Sequence, residues 1–171
     1  SVVISGDVSA MKVMVTKLEH KNIKVKPLDV THAFHSPLVE PMMDDLKKVA
    51  DRIKFKAPKI KVISNVTAEP TEDMEISCAS YWREHLREPV MFSQSMEKLV
   101  DLGCDTFVEI GPGSTLLGMG RLCVDGDDWL PSLRKGQDDW TQILDSIGKL
   151  YVKGLEVDWV SFDQGNSRRR V

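Results

Sequence analysis

Two histidines three residues apart, His32 and His35, are the side chains of this sequence best suited to acid–base chemistry. They lie in the segment Thr31–Pro37, which reads Thr-His-Ala-Phe-His-Ser-Pro. Apolar and polar residues alternate before this segment, as in a half-buried strand, whereas the residues after Pro37 have helical spacing. His35 is therefore expected at a strand-to-helix corner, where a side chain can point into a cleft. A surface or core histidine without a chemical role fits the same pattern.

A histidine base needs a nucleophile, and the sequence contains no recognisable one. Nucleophilic catalysis assisted by a histidine base requires a nucleophile within hydrogen-bond reach of the imidazole and an oxyanion hole. No Gly-x-Ser-x-Gly elbow occurs in the 171 residues. Ser36 adjoins His35, but it precedes Pro37 and suits the N-cap of the following helix better.

A metal site and a phosphate-binding loop are two alternatives. His32 and His35 supply only two metal ligands, and the motif contains neither a third ligand nor a carboxylate. The segment Gly111–Ser114 joins a predicted strand to a predicted helix, but it lacks the spacing of a dinucleotide fingerprint and the ending of a P-loop. We therefore expect no metal, and we interpret the glycine segment as a tight structural turn.

Composition indicates which classes of partner the chain is suited to bind and which cellular compartment it is suited to. Lys and Arg number 23 and Asp and Glu 26, a net charge of −3, and the basic cluster at 168–170 is isolated, so a nucleic-acid partner is not expected. No apolar run approaches the ~20 residues of a membrane span. Cys78, Cys104 and Cys123 are odd in number and widely spaced, which argues against disulfides or zinc and favours a reducing cytoplasm.

The first thirty residues predict a strand, a helix and a second strand. The strands are Val2–Ser5 and Ile23–Val30, and Asp7 is the expected cap of a helix that ends near Asn22. Such a piece cannot bury both faces of its sheet, so further strands must lie beside it. Because the chain opens on Ser1 without a methionine, we expect it to be a segment of a longer protein.

The remaining residues alternate helices with short apolar runs, which predicts an α/β layer. The predicted elements are a helix after Pro37, a strand at Lys59–Val66, a helix from Tyr81 stopped by Pro89, a helix at 93–102 ended by Gly103, a strand at Thr106–Ile110, and a helix at Thr115–Cys123. Near the end, a helical stripe runs from Trp140 to Tyr151 and stops at Gly154. We interpret this stripe as core packing rather than a cofactor surface.

Four motifs in order resemble one family. They are His-Ala-Phe-His-Ser-Pro-Leu at 32–38, Ser-Asn-Val-Thr at 64–67, Tyr-Trp-x-x-x-x-Arg-Glu-Pro-Val at 81–90 and Val-Glu-Ile-Gly-Pro-Gly-Ser-Thr-Leu at 108–116. Together they resemble the malonyl-specific acyltransferase domains of modular type I polyketide synthases. Gly-x-x-Val-Asp-Trp-x-x-Phe at 154–162, followed by Arg-Arg-Arg-Val, is similar to the linker that follows those domains.

The resemblance implies a fold and a division of the chain. The fold is α/β, the C-terminal portion of an α/β-hydrolase-like acyltransferase core with a partial ferredoxin-like (β-α-β) subdomain. Residues 1–36 would be the partial subdomain, 37–135 the C-terminal part of the core, and 136–171 the C-terminal helix and linker. In the family, the serine elbow, the oxyanion hole and the arginine that pairs with the malonyl carboxylate precede this region, so each is expected upstream of Ser1.

The same resemblance assigns roles to individual residues. His35 is the general base of a serine/histidine pair. Phe34, with His32 and Ala33, belongs to the substrate-selectivity motif, in which the Phe34 ring fills space that methylmalonyl-selective relatives leave open. His85 occupies the place whose backbone carbonyl orients the catalytic imidazole. Asn65 matches a polar position near the pocket.

The implied function is transfer of a malonyl group from malonyl-CoA, through a serine ester, to the phosphopantetheine thiol of an acyl carrier protein. The domain itself is expected to bind no cofactor. The expected partners are the carrier protein, an adjacent ketosynthase and the missing N-terminal acyltransferase segment, and the 171-residue chain alone is expected to be inactive. Two alternatives stay open: a non-catalytic docking module that uses residues 138–171, and a hydrolase or thioesterase with an unrecognised nucleophile.

Overall fold

A computed structural model describes residues 2–28, 30–72 and 74–164 of the protein. The chain forms two compact units, Ser1–Gly103 and Cys104–Val171, each with its own internal packing. Among the described residues, no helix has both the length and the apolar character needed to cross a bilayer. The basic cluster at 168–170 lies outside the described residues, and the three-part division at residues 36 and 135 stays a prediction.

The first unit is built mainly from helices. They are α1 at Val8–His20, α2 at Glu40–Ala50, α3 at Ala79–Arg87 and α4 at Phe92–Asp101, with 3-10 turns at Pro37–Val39 and Glu75–Ser77. Helices α2 and α3 pack against each other, and Met43 and Tyr81 are buried. Exposed ion pairs join the same helices, Arg83 to Asp44 at 3.1 Å and Arg87 to Glu40 at 2.8 Å. Such exposed pairs contribute little free energy, so buried apolar area holds the two helices together.

Local sequence signals placed the helix ends of this unit correctly. The Asp7 carboxylate accepts the backbone N–H groups of Ser9 and Ala10 at the start of α1. The Ser36 hydroxyl caps the turn that begins at Pro37, and this 3-10 turn runs directly into α2. Helix α3 ends just before Glu88 and Pro89, since proline disfavours helical backbone in the residue before it.

The strands predicted at Val2–Ser5, Ile23–Val30 and Lys59–Val66 are wrong for the described residues. The first two have no ladder pairing, and the third contributes only an isolated antiparallel bridge between Ile63 and Pro70. A strand forms when a neighbouring strand accepts its backbone hydrogen bonds, and no described residues provide one beside these segments. Several of their apolar side chains are open to solvent, with Val2 88% and Ile60 81% exposed.

The second unit contains a parallel β-α-β arrangement, which confirms the α/β class. Its elements are β1 at Thr106–Glu109, α5 at Thr115–Gly120, β2 at Asp128–Pro131, α6 at Asp139–Val152 and α7 at Trp159–Phe162. Strands β1 and β2 pair in parallel, with Phe107 opposite Trp129 and their rings stacked at 4.5 Å. Two parallel strands need a crossover between them, and α5 lies in that connection. The sequence analysis found β1 and α5 but not β2.

The apolar stripe predicted to pack α6 into the core is only partly buried. Trp140 is 61% exposed, whereas the buried residues of α6 are the polar Gln142 and Ser146. Both donate hydrogen bonds to the Pro131 carbonyl at the end of β2, from Gln142 Nε2 at 3.3 Å and Ser146 Oγ at 2.8 Å. The ring of Trp140 contacts Phe162 instead. The predicted stripe is thus half-buried at Ile143, Ile147 and Leu150, while a buried polar pair bonds α6 to the end of β2.

Candidate active site

His35 has a left-handed backbone conformation that is unusual for a residue other than glycine. Its φ angle is +60°, in the sparsely populated region that costs of order 1–3 kcal/mol. The backbone N–H of His35 donates to the carbonyl of Leu86 at 3.1 Å, in the last turn of α3. Carbonyls in a last helical turn lack intrahelical donors, so α3 has this one available. The strained corner is thus tied to the end of a helix distant in sequence.

The ring of His35 is tied to the same helix end. Its Nδ1 lies 2.7 Å from the carbonyl oxygen of Glu88. A carbonyl can only accept, so Nδ1 carries a proton, and in the neutral form of the ring the lone pair is on Nε2. This is the tautomer in which Nε2 can take a proton from a substrate or nucleophile. The strand-to-helix corner predicted from sequence is therefore a turn-to-helix corner, at which Nδ1 is bonded to Glu88 and Nε2 is the other ring nitrogen.

The residue predicted to orient this imidazole is corrected. The resemblance assigned the orienting carbonyl to His85, but the structure places the carbonyl of Glu88 against Nδ1. Glu88 is the C-cap residue of α3, where the chain has left the helix and its backbone is extended. The distinction depends on where α3 ends relative to the histidine loop, which a motif alignment does not show.

Two serine hydroxyls donate hydrogen bonds to the loop around His35. The sequence predicted Ser36 only as a helix cap and predicted no role for Ser5. The Ser36 hydroxyl donates to the carbonyl of Ala33 at 2.6 Å, and the side chain is buried. The Ser5 hydroxyl donates to the carbonyl of Phe34 at 2.7 Å. Ser36 is thus occupied as a cap and loop clamp, and Ser5 braces the peptide that immediately precedes His35.

The side chain of His85 lies beside that of His35. The two ring centroids are 5.8 Å apart, with the rings edge-on at 76°. Asn65 Nδ2 is 3.4 Å from His85 Nε2, so the structure brings both predicted positions together. Burial first, and the facing His35 imidazole second, hold the pKa of His85 below its usual value. The lowered pKa favours the neutral form of His85 beside His35.

The segment predicted to set substrate selectivity, residues 32–34, belongs to the same loop. Phe34 is 42% exposed, and its ring centroid is 5.6 Å from that of His32. The Nδ1 of His32 pairs with the Thr31 hydroxyl at 2.8 Å. His32 therefore does not share the hydrogen-bond partners of His35, although both belong to one loop with Ala33 and Phe34.

The two alternative sites find no support in the geometry of the described residues. Within these parts of the chain, no three His, Cys, Asp or Glu side chains lie together as a metal would require. At the glycine turn, the Glu109 carboxylate accepts the backbone N–H of Leu117 at 2.9 Å. The protein's own carboxylate therefore occupies the start of α5, where a phosphate would have to bind.

Comparison with known proteins gives a consistent family. The family model for the acyl transferase domain matches residues 1–157 of this chain. Polyketide synthase GfsA of Streptomyces halstedii is 35% identical over 176 residues, covering 100% of this chain and 2% of the relative. The phenolphthiocerol synthesis polyketide synthase Pks15/1 of Mycobacterium marinum is 36% identical over 174 residues, covering 100% of this chain and 8% of the relative. The chain thus spans a small part of these synthases.

Solved structures agree with the sequence relatives. The acyltransferase domain from the second module of the salinomycin polyketide synthase superposes with a TM-score of 0.81 at 33% identity, covering 96% of this chain and 40% of that domain. FabD from Acinetobacter baumannii has the same fold, with a TM-score of 0.75 at 20% identity over 86% of this chain and 45% of its own. The family model matches most of the length of the chain, and these relatives agree with it. The chain therefore belongs to the acyl transferase domain family.

Proposed function

We propose that this chain is part of a polyketide synthase acyltransferase domain that selects malonyl-CoA and passes the malonyl group to an acyl carrier protein. The observation that supports this proposal most directly is the geometry of His35. Its Nδ1 proton is held by the Glu88 carbonyl at 2.7 Å, so Nε2 is the basic nitrogen. The structural relationship to synthase domains supplies the reaction class, and the loop supplies a base suited to it.

The proposed reaction has two steps that use the same imidazole. In the first, His35 Nε2 takes the proton of a serine hydroxyl, the serine oxygen attacks the malonyl thioester, and coenzyme A leaves as a thiol after receiving that proton. In the second, Nε2 takes the proton of the carrier's phosphopantetheine thiol, the sulfur attacks the malonyl ester, and the serine regains its proton. A base in this position typically accelerates transfer by ~10²–10⁴.

The serine is proposed to come from outside these 171 residues, because no nucleophile elbow occurs among them. The Ser36 hydroxyl, the nearest in sequence to His35, is buried and donates to Ala33 at 2.6 Å, so it is a poor nucleophile. In this proposal the upstream acyltransferase segment, an adjacent ketosynthase and the carrier protein are the partners. The domain binds no cofactor of its own and works in the cytoplasm.

The choice of malonyl-CoA rests on Phe34. Its ring extends from the loop that holds His35 and lies against His32 at 5.6 Å. An α-methyl group on the extender would need the space of this ring. A single methyl group in a shaped pocket is worth ~1–3 kcal/mol, enough to decide between two extenders.

Labelled malonyl-CoA and intact mass spectrometry test the function. The full-length protein that carries this chain should form one covalent malonyl adduct, sensitive to hydroxylamine, and should pass it to a holo carrier protein. The purified 171-residue chain should form none. Release of free malonate with no transfer would instead indicate a hydrolase or thioesterase, and a fluorophosphonate probe would then label its nucleophile. An adduct on the 171-residue chain would reject the proposal that the serine lies outside it.

A further inference from the structure

The side chain of His85 has no role in the reaction proposed above, yet it lies against the catalytic imidazole. The His35 and His85 rings meet edge-on, with centroids 5.8 Å apart. The hydrogen bond that orients His35 runs from its Nδ1 to the Glu88 carbonyl, so the backbone of His85 does not explain this placement. The contribution of the His85 ring to the site is therefore separate from that of the backbone around it.

Three side chains hold His85 in this place. Its ring lies 5.9 Å from that of Tyr81 and 5.8 Å from that of Trp82. Asn65 Nδ2 lies 3.4 Å from His85 Nε2. An amide nitrogen can only donate, so Nε2 accepts and the His85 imidazole is neutral.

The residues that hold His85 are themselves anchored. The Tyr81 hydroxyl pairs with the buried Ser64 hydroxyl at 3.0 Å. The backbone carbonyl of Asn65 accepts the N–H of Met91 at 2.8 Å. His85 is thus fixed by a platform that does not depend on His35, as a positioning group must be.

We propose that the His85 side chain is a positioning residue, whose ring edge stops the His35 imidazole from turning out of its bond to Glu88 and keeps Nε2 aimed at the reacting hydroxyl. This inference rests on the proposed function. It assigns His85 no contact with substrate. Its second effect is electrostatic: His35 becomes an imidazolium in each step, and a neutral neighbour adds no opposing charge.

The ionisable groups around His85 determine how a charged residue at position 85 would affect the protonation of His35. The loop presents His35, and α3 presents Tyr81, whereas Asn65 is uncharged. Along the chain His85 is flanked by two acids and two bases, Glu84, Glu88, Arg83 and Arg87, and the bases are paired with Asp44 and Glu40. A permanent cation at position 85 would disfavour the protonated form of His35. The base would then stay neutral to lower pH, and the acidic limb of the kcat/KM profile would move downward.

Three substitutions in the full-length protein separate the ring contact from the charge. His85→Ala removes the ring edge and should lower kcat about ten- to hundredfold with KM nearly unchanged. His85→Phe restores an edge and should recover most of that loss. His85→Lys should lower the acidic limb by roughly one pH unit, the shift expected of a unit charge at this separation. His20→Ala, at the exposed end of α1, is the matched control and should change nothing.

The outcomes are distinguishable from one another. Recovery of kcat by phenylalanine, together with a shifted limb in the lysine variant, supports the role of His85. Equal kcat loss in the alanine and phenylalanine variants, or full activity in both, overturns it. If His85→Ala folds poorly, Asn65→Ala is the second test. It removes the side chain bonded to the His85 ring and should also lower kcat. A wild-type protein that transfers no malonyl group rejects the proposed function, whereas an unaffected His85 series rejects only the role of His85.

Discussion

The hydroxyl of Ser5 donates a 2.7 Å hydrogen bond to the carbonyl of Phe34, so the start of the chain holds the peptide bond that leads into His35. On the other side of that peptide, the N–H of His35 donates to Leu86 at 3.1 Å. A left-handed non-glycine residue persists only where its surroundings over-determine it. These two bonds and the ring bond to Glu88 provide that restraint for His35.

Replacing Ser5 by alanine should therefore weaken catalysis without touching the reacting groups. Loss of one neutral hydrogen bond, worth about 1 kcal/mol, corresponds to up to about a fivefold fall in kcat. Ser9→Ala, in the first turn of α1, is the control because no loop carbonyl accepts from its hydroxyl in the described contacts. Steady-state transfer to the carrier protein measures both variants. Equal rates for the two would show that Ser5 does not brace the loop.

The two histidines of the motif should differ sharply. His35→Ala removes the proposed base and should reduce the acylation rate ~10²–10⁴-fold, whereas His32→Ala should matter much less because His32 pairs with Thr31. Glu88→Gln is a second control: the bond to His35 uses the backbone carbonyl, which this change leaves in place. Single-turnover labelling with malonyl-CoA gives the three rates. A His32 variant as slow as the His35 variant would mean that the other imidazole is the base.

Phe34→Ser should relax extender selectivity. The smaller side chain frees the space proposed to exclude an α-methyl group, and the preference for malonyl- over methylmalonyl-CoA should shrink by ~1–3 kcal/mol. Leu38→Ser, which changes the exposed apolar residue that follows Pro37, should leave the ratio unchanged. Competition between the two extenders measures kcat/KM ratios directly. Equal use of both by the unmodified protein would contradict the selectivity assigned to Phe34.

What could be predicted from sequence was local. The caps at Asp7 and Ser36 and the stop at Pro89 depend on residues a few positions away, and each has the predicted effect. His35 was likewise expected just before a helix, where the structure has it, although a turn rather than a strand precedes it; its role as a base was assigned by resemblance and stays a prediction. Short-range chemistry of this kind is readable from one sequence.

The features that failed depend on residues distant in sequence. Val2–Ser5 has the composition of a strand, but strand pairing requires a neighbour that composition does not reveal. The orienting carbonyl belongs to Glu88 rather than His85 because it is set by the meeting of a loop and a helix end 53 residues apart. In α6, apolar spacing predicted one buried face, whereas Gln142 and Ser146 are buried because Pro131 offers them an acceptor.

The packing of the second unit yields a prediction about Gly126, which precedes β2. A Cβ atom there would lie 2.8 Å from Cε2 of Phe107, whose ring is buried and stacked on Trp129. Because that ring cannot easily move, Gly126→Ala should destabilise this unit by ~1–3 kcal/mol. Gly118→Ala is the matched control, since nothing lies within 4 Å of its Cβ position and alanine favours helix α5 by ~0.5–1 kcal/mol. Limited proteolysis of the full-length protein, followed at sites in residues 104–164, should show faster cleavage in the first variant and not in the second. Equal cleavage rates in both would mean that the Phe107 ring has room that the stacked arrangement does not show.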